Sequence, residues 1–201
     1  MESKLFTPVT FGPLTLRNRT IRSAAFESMC PGNAPSDMLL DYHRSVAAGG
    51  IGMTTVAYAA VTQSGLSFDR QLWMRPEIIP GLRRLTDAIH AEGAAAGIQL
   101  GHCGNMSHKS ICGCMPVGAS SGFNLYSPTF VRGLRADELP EMARAYGRSV
   151  NLAREAGFDS VEIHAGHGYL ISQFLSPSTN HRKDEFGGSL QNRMRFMDMV
   201  I

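Results

Sequence analysis

Short apolar runs alternate with amphipathic stretches along this chain, and such alternation is typical of βα units that build a parallel sheet. Residues 20–26, 51–61, 94–102 and 159–164 are apolar runs that predict four buried strands. In the stretches between them, apolar residues recur with the spacing of a helix that buries one face. The pattern therefore predicts an α/β fold.

Four amphipathic stretches predict the helices. Ser36 is the predicted N-cap of the first, which ends at Gly49-Gly50, and Ser189 is the predicted N-cap of the last. The predicted apolar stripes are Leu39, Leu40, His43, Val46 and Ala47; Ile79, Leu82, Leu85, Thr86 and Ile89; Leu139, Met142, Ala143, Tyr146, Val150 and Ala153; and Met194, Met197 and Ile201.

Two segments depart from this alternation. Residues 5–16 predict two short strands about the Gly12-Pro13 turn. Residues 104–134 are rich in Gly, Ser, Pro and Cys and show no periodicity. A loop of that length is either functional or disordered in a compact domain.

The length of the chain limits the fold. Its 201 residues, 43% of them hydrophobic, predict a single domain spanning residues 1–201. Four βα units are visible, whereas a closed (β/α)8 TIM barrel needs eight and typically roughly 250 residues. We therefore expect the chain to cover the N-terminal hairpin and about the first four units, and the native protein to continue beyond Ile201.

Charge and cysteine content exclude several classes of protein. The net charge is only +2 and no basic tract is present, which argues against binding to nucleic acid. The four cysteines form no disulfide framework. No signal-type apolar segment and no membrane span of about 18 apolar residues is visible. These features predict a cytoplasmic protein that does not associate with membranes.

The segment EIHAGHGYL at 162–170 is the most informative for function, because it begins at the predicted C-terminal end of a strand, where βα barrels build active sites. The imidazoles of His164 and His167 suit an oxygen that gains negative charge in a reaction. The phenol of Tyr169 is a candidate proton donor. A structural alternative is that the histidines only satisfy backbone carbonyls at the strand end.

A metal site is a second alternative at this segment. His164 and His167 have the types of side chain that bind zinc or iron, with Asp159, Glu162, His102 or Cys103 available to complete the site. This hypothesis predicts a metal-dependent barrel hydrolase. The cluster of His102, Cys103, His108, Cys112 and Cys114 matches no common zinc spacing. We therefore predict no structural metal.

Taken together, the motifs resemble those of the Old Yellow Enzyme family of FMN-dependent ene reductases. The motifs that carry the resemblance are FTP at 6–8, LRNR at 16–19, IQLGH at 98–102, EIHAGHGYL at 162–170, QFLSP at 173–177, NHRKDEFGGS at 180–189 and NR at 192–193.

The resemblance implies that NAD(P)H reduces FMN and that the reduced FMN reduces the C=C bond of a small enone or enoate. By similarity, His164 and His167 hold the carbonyl oxygen of the substrate and Tyr169 protonates its α-carbon. The residues expected to contact the flavin are Ala24, Ala25, Phe26, Tyr58 and Gln99, of which Gln99 would hydrogen-bond its pyrimidine edge.

Two departures from the family pattern matter. Phe26 stands where many members have Thr or Cys, and Phe cannot donate the hydrogen bond that tunes the flavin potential. The family's FMN phosphate site and a flavin-contacting arginine come from later strands, which these residues do not include. An iron-sulfur cluster, known in some relatives, would require a longer native chain.

A different class of function remains open. An incomplete barrel exposes sheet edges that favour pairing with another chain. A non-catalytic half-barrel that self-associates into a homo-oligomer is therefore an alternative to the enzyme.

Overall fold

The alternation of strands and helices is confirmed in the computed structural model, which describes residues 3–201. The strands are β1 Val9–Phe11, β2 Leu14–Leu16, β3 Ile21–Arg22, β4 Met53–Ala60, β5 Ala95–Gly101, β6 Val117–Gly118, β7 Gly122–Asn124, β8 Thr129–Gly133 and β9 Ser160–Ile163. The helices are α1 Asp37–Ala48, α2 Ile79–Ala91, α3 Lys109–Cys112, α4 Leu139–Glu155, α5 Leu170–Leu175 and α6 Leu190–Val200.

The main sheet has the order β3-β4-β5-β9, so that strands successive in the βα pattern are neighbours in space. Strands β3 and β4 pair in parallel, with Ile21 opposite Met53 and Arg22 opposite Thr54. Helices α1, α2 and α4 lie in the connections between these strands. At the N-terminus, β1 and β2 form the predicted hairpin.

The chain packs as two compact units. The expectation that residues 1–201 form a single domain stays a prediction. The first unit contains residues 3–59, 70–99 and 150–162. Its helix α1 starts where the Ser36 hydroxyl accepts a hydrogen bond from the Leu39 N–H at 3.2 Å, as predicted. Leu39 of α1 and Leu82 of α2 are fully buried, because each helix turns its apolar stripe inward.

The second unit contains residues 60–69, 100–149 and 163–201. Its helix α6 has the predicted Ser189 cap, whose hydroxyl accepts from the Asn192 N–H at 3.2 Å. Of the apolar face predicted for α6, Met194 and Met197 are half-buried, but Ile201 is 86% exposed and the buried residue is Phe196, which was not predicted. Phe196 packs on Phe174 of α5 with a centroid distance of 4.6 Å, and α5 is a helix that the sequence pattern did not predict.

The structure corrects two further expectations. The buried strand predicted at 20–26 is only β3, whose two residues are not buried. The loop predicted at 104–134 contains α3 and a three-stranded sheet of order β6-β8-β7. Its strands are too short to show a periodicity, and Phe123 of β7 pairs with Phe130 of β8 on an exposed surface. None of the helices in residues 3–201 has the length and apolar character of a membrane span.

Candidate active site

The turn that follows β9 is built around two consecutive left-handed residues. His167 has φ +55° and Gly168 has φ +68°. A histidine rarely adopts this conformation, because its Cβ crowds the backbone. The turn is closed by the Tyr169 N–H, which donates to the Gly166 carbonyl at 3.1 Å. The chain therefore reverses direction between His164 and Tyr169.

The reversal brings the rings of His164, His167 and Tyr169 together. A hydrogen bond of 3.1 Å joins His167 Nδ1 and His164 Nε2. The His164 ring centroid lies 4.9 Å from that of His167 and 4.9 Å from that of Tyr169. His164 is only 7% exposed. Two imidazoles and a phenol thus form one cluster of N–H and O–H groups, and the shared proton couples the tautomers of the two histidines.

Two side chains of α5 hold this turn in place. The Ser172 hydroxyl donates to the Ala165 carbonyl at 2.6 Å. The buried Gln173 amide donates to the Gly168 carbonyl at 2.6 Å and to the Cys103 carbonyl at 3.1 Å. Neither role was predicted from the sequence, although the polar pair between apolar neighbours at 170–175 was the available signal.

A cavity of about 490 Å³ adjoins His167 in the second unit. Phe123, Leu125 and Met106 supply apolar walls, and the side chains of Asn105 and Asn124 add two amides. An apolar cavity with a few polar groups is the usual form of a site for a small organic molecule. In the sequence, only the segment 104–134, which lacks periodicity, indicated this cavity.

In the first unit, the Gln99 amide is 9% exposed and lies near the end of β5. Its Nε2 donates to Glu162 Oε1 at 2.5 Å. A carboxamide has two N–H groups and a carbonyl oxygen. Within residues 3–201, the second N–H donor and the side-chain carbonyl of Gln99 make no hydrogen bond. Tyr58, in β4, is 4% exposed, and its carbonyl accepts from Gln71 Nε2 at 3.1 Å.

The segment containing Ala24, Ala25 and Phe26 begins two residues after β3 ends. Beyond Arg22 the backbone no longer pairs with β4, and side chains make the connection instead. Arg22 Nη1 donates to the Thr55 carbonyl at 2.6 Å, and Arg22 Nη2 donates to the Ala25 carbonyl at 3.2 Å. The small side chain of Ala24 is half-buried and that of Ala25 is exposed, and Phe26 is 39% exposed.

Glu27 completes this connection as a buried charge. Its Oε2 accepts from the Ala57 N–H at 3.3 Å, and its Oε1 lies 3.0 Å from Arg22 Nη1. His43, fully buried on α1, places Nε2 3.2 Å from Glu27 Oε1 and Nδ1 2.8 Å from Thr54 Oγ1. From the sequence, His43 was predicted only as part of an apolar stripe, because nothing local indicates partners so distant along the chain.

The metal hypothesis needs a third ligand beside His164 and His167. Within the part of the chain that is described, no three His, Cys, Asp or Glu side chains are grouped to hold an ion. Both ring nitrogens of His102 are engaged, with Gly104 N–H at 2.9 Å and Ser64 Oγ at 3.0 Å. Burial lowers the pKa of His102 to about 3, so this imidazole is neutral.

Comparison with known proteins identifies the family. Residues 4–201 match the model of the NADH:flavin oxidoreductase / NADH oxidase family. The chain is 42% identical over 98% of its length to a 4,4'-dithiodibutanoate disulfide reductase from Rhodococcus erythropolis, covering 49% of that protein. It is 37% identical over its whole length to an NADPH dehydrogenase from Bacillus subtilis, covering 60% of that protein.

Solved structures agree with this match. An old yellow enzyme homologue from Zymomonas mobilis superimposes with a TM-score of 0.91 at 30% identity, over 98% of this chain and 58% of the homologue. Morphinone reductase gives a TM-score of 0.90 at 29% identity, over 98% and 57% of the two chains. The chain thus spans about half the length of these relatives. It belongs to the Old Yellow Enzyme family of NADH:flavin oxidoreductases, and its sheet and helices are part of a (β/α)8 barrel.

Proposed function

We propose that the protein is an FMN-dependent oxidoreductase that uses NAD(P)H to reduce the C=C bond of small α,β-unsaturated carbonyl compounds. The observation that carries this proposal is the cluster of His164, His167 and Tyr169 beside a largely apolar cavity. Membership of the family supports the chemistry and the cofactor.

The residues of the first unit fit a flavin. The unused N–H and carbonyl of Gln99 complement the alternating C=O and N–H groups of the pyrimidine ring. The small side chains of Ala24 and Ala25 allow a flat ring to approach the backbone. Phe26 adds an apolar surface where family members often place Thr or Cys, and Tyr58 would line the same ring. When bound, FMN would supply the transfer of an electron pair from NAD(P)H to the substrate.

The cluster of the second unit acts on the substrate in this proposal. The carbonyl oxygen of the substrate takes the place of the hydrogen bond between the two rings, so that His164 and His167 both donate to it, which withdraws electron density from the alkene and stabilises the enolate. Tyr169 then donates its phenolic proton to the α-carbon. The left-handed turn at His167-Gly168 keeps these donors fixed, so that little reorganisation is needed during the reaction.

A test is the double variant His164→Ala/His167→Ala of the native protein, loaded with FMN and followed by stopped-flow absorbance. Reduction of the flavin by NAD(P)H should change little. Reoxidation by an enone such as 2-cyclohexenone should slow by about 10²–10³-fold, the usual effect of removing oxyanion donors. Binding of phenolates, which mimic the enolate, should weaken in parallel.

His90→Ala is the matched control, because this exposed histidine pairs with Asp159 at the end of α2, in the first unit. It should leave both half-reactions unchanged. A double variant that reoxidised normally with the enone would contradict the assignment. Loss of bound zinc or iron from the double variant would instead support the hydrolase hypothesis.

Reduction of a disulfide is a second candidate, favoured by the 42% identity to the Rhodococcus reductase. Cleavage of an S–S bond leaves a thiolate, and the donors of His164 and His167 would stabilise that negative charge as they would an enolate. Consumption of NADPH with 4,4'-dithiodibutanoate and with 2-cyclohexenone distinguishes the two substrate classes.

A further inference from the structure

The sequence Cys112-Gly113-Cys114 lies in the second unit, outside the residues assigned above. Helix α3 ends at Cys112, and Gly113 follows in the left-handed conformation with φ +74°. Glycine adopts this conformation without a steric penalty. The Gly113 N–H donates to the Lys109 carbonyl at 2.9 Å. This turn folds Cys114 back, so that its Sγ lies 3.8 Å from Cys112 Sγ.

The two thiols differ in accessibility. Cys112 is buried, and its Sγ lies 3.3 Å from the His108 carbonyl and 3.2 Å from the Cys114 carbonyl. Cys114 is exposed. A small molecule can therefore reach Cys114 first, while Cys112 stays behind it within reach of the same sulfur.

Cys114 lines a cavity of about 580 Å³ that shares no residue with the cavity beside His167. Three arginines of the wall are paired with carboxylates: Arg132 with Glu138 at 2.7 Å, Arg135 with Asp137 at 3.0 Å, and Arg148 with Glu141 at 2.7 Å. The charges of these pairs cancel. The wall therefore suits an uncharged molecule better than an anion.

We propose that Cys114 and Cys112 form a thiol–disulfide exchange site for small uncharged disulfides. The Cys114 thiolate attacks a disulfide RSSR, which forms the mixed disulfide Cys114-S-S-R and releases one RS⁻. Cys112 then attacks Cys114 Sγ and displaces the second RS⁻. The two protons lost by the cysteines convert both leaving groups to RSH. The small disulfide is reduced by two electrons, and the cysteine pair is oxidised to a Cys112–Cys114 disulfide.

The geometry makes the Cys112–Cys114 disulfide easy to reduce again. The sulfur atoms have to approach from 3.8 Å to about 2.05 Å. The resulting bond closes a ring over only one intervening residue, and strained disulfides are the more easily reduced ones. Partial burial, and next the neighbouring Cys112, raise the pKa of Cys114 to about 11. Exchange should therefore accelerate about tenfold for each pH unit between about pH 7 and pH 9, because only the thiolate attacks.

The test uses the native protein with oxidised FMN and without NAD(P)H, so that the flavin contributes no electrons. The protein is incubated with bis(2-hydroxyethyl) disulfide near pH 9, alkylated, and mapped by peptide mass spectrometry. The peptide containing both cysteines should lose two hydrogens and resist alkylation until a reductant is added. Cys112→Ser should instead accumulate the mixed disulfide on Cys114.

Cys103→Ser is the matched control, because Cys103 is fully buried in the same unit and should not react. This variant should behave as the unchanged protein does. The proposal is overturned if Cys112 forms a mixed disulfide in Cys114→Ser, or if the unchanged protein retains the mixed disulfide as Cys112→Ser does. Absence of any modification near pH 9 also overturns it.

Discussion

At the scale of single residues, a substitution of Tyr169 can distinguish a role in proton transfer from a role in substrate binding. Its ring lies 4.9 Å from that of His164, so Tyr169→Phe retains the packing and removes only the hydroxyl. In the native protein we expect normal FMN content and normal reduction by NAD(P)H. Turnover of alkenes that need α-protonation should slow by about 10²–10⁴-fold.

Nitroalkenes provide the internal control for this variant, since their reduced nitronate is stable without that proton. Nitronate should accumulate in solution when Tyr169→Phe is assayed by absorbance with a nitroalkene. If reoxidation of the flavin by the nitroalkene were lost while FMN stayed bound, Tyr169 would position the substrate rather than protonate it.

The buried imidazole of His102 makes the stability depend on pH. Its pKa is about 3 in the folded protein and about 6.5 when unfolded, so the unfolded chain binds the extra proton between these values. Stability from this residue is complete above about pH 6.5 and falls as the pH decreases, by up to about 1.4 kcal/mol per pH unit.

The variant His102→Asn keeps an acceptor for the Gly104 N–H and cannot be protonated in this range. We expect it to be less stable than the unchanged protein near pH 7.5, since the contact with Ser64 is lost. Urea unfolding at a series of pH values should show this difference shrinking below about pH 6.5. A difference independent of pH would mean that His102 does not carry the effect.

At the scale of elements, the segment that follows β3 is held beside β4 by the contacts of a buried ion pair rather than by backbone pairing. The side chains of Arg22 and Glu27 are 14% and 3% exposed. Glu27→Ala leaves the Arg22 guanidinium without its carboxylate, which should lower the free energy of unfolding by about 3 kcal/mol. With Arg22→Ala as background, the same substitution should cost much less, because the two residues are coupled.

Asp41→Ala is the matched control, because Asp41 pairs with Arg44 at 2.9 Å on the exposed face of α1. Removing an exposed pair of this kind changes stability by about 0–1 kcal/mol. Urea unfolding of the single and double variants measures these differences. Equal effects of Asp41→Ala and Glu27→Ala would show that the buried pair does not hold the strand connection.

Elements also differ in how far the sequence predicts them. Caps such as Ser36 and Ser189 were predicted because the hydroxyl and its N–H partner lie within three residues. The end of β3 at Arg22 was not predicted, because it depends on the contact of Arg22 with Thr55 and of Glu27 with Ala57. The partners in each contact are more than 29 residues apart. The proximity of His164, His167 and Tyr169 could be expected from one short motif, whereas the contact between Gln99 and Glu162 spans 63 positions.

At the scale of the whole molecule, the chain covers 49% and 60% of two relatives that it matches along nearly its full length. The family's phosphate site is expected after the seventh and eighth strands of a complete barrel, which are distinct from the β7 and β8 of the three-stranded sheet. The main sheet described in residues 3–201 has four strands, of which β3 and β9 are the outer ones. Within these residues, neither outer strand pairs with a further strand of that sheet.

These outer strands lead to a prediction for a polypeptide made of residues 1–201 alone. Unpaired strand edges favour pairing with another chain, so it should self-associate with increasing concentration, as measured by analytical ultracentrifugation. Without the expected phosphate site it should bind FMN only weakly, as followed by quenching of flavin fluorescence. A monomer that binds FMN tightly and in equal amount would contradict both expectations. A dimer that does so would support the self-associating half-barrel, because the strands of a second copy would then close the ring.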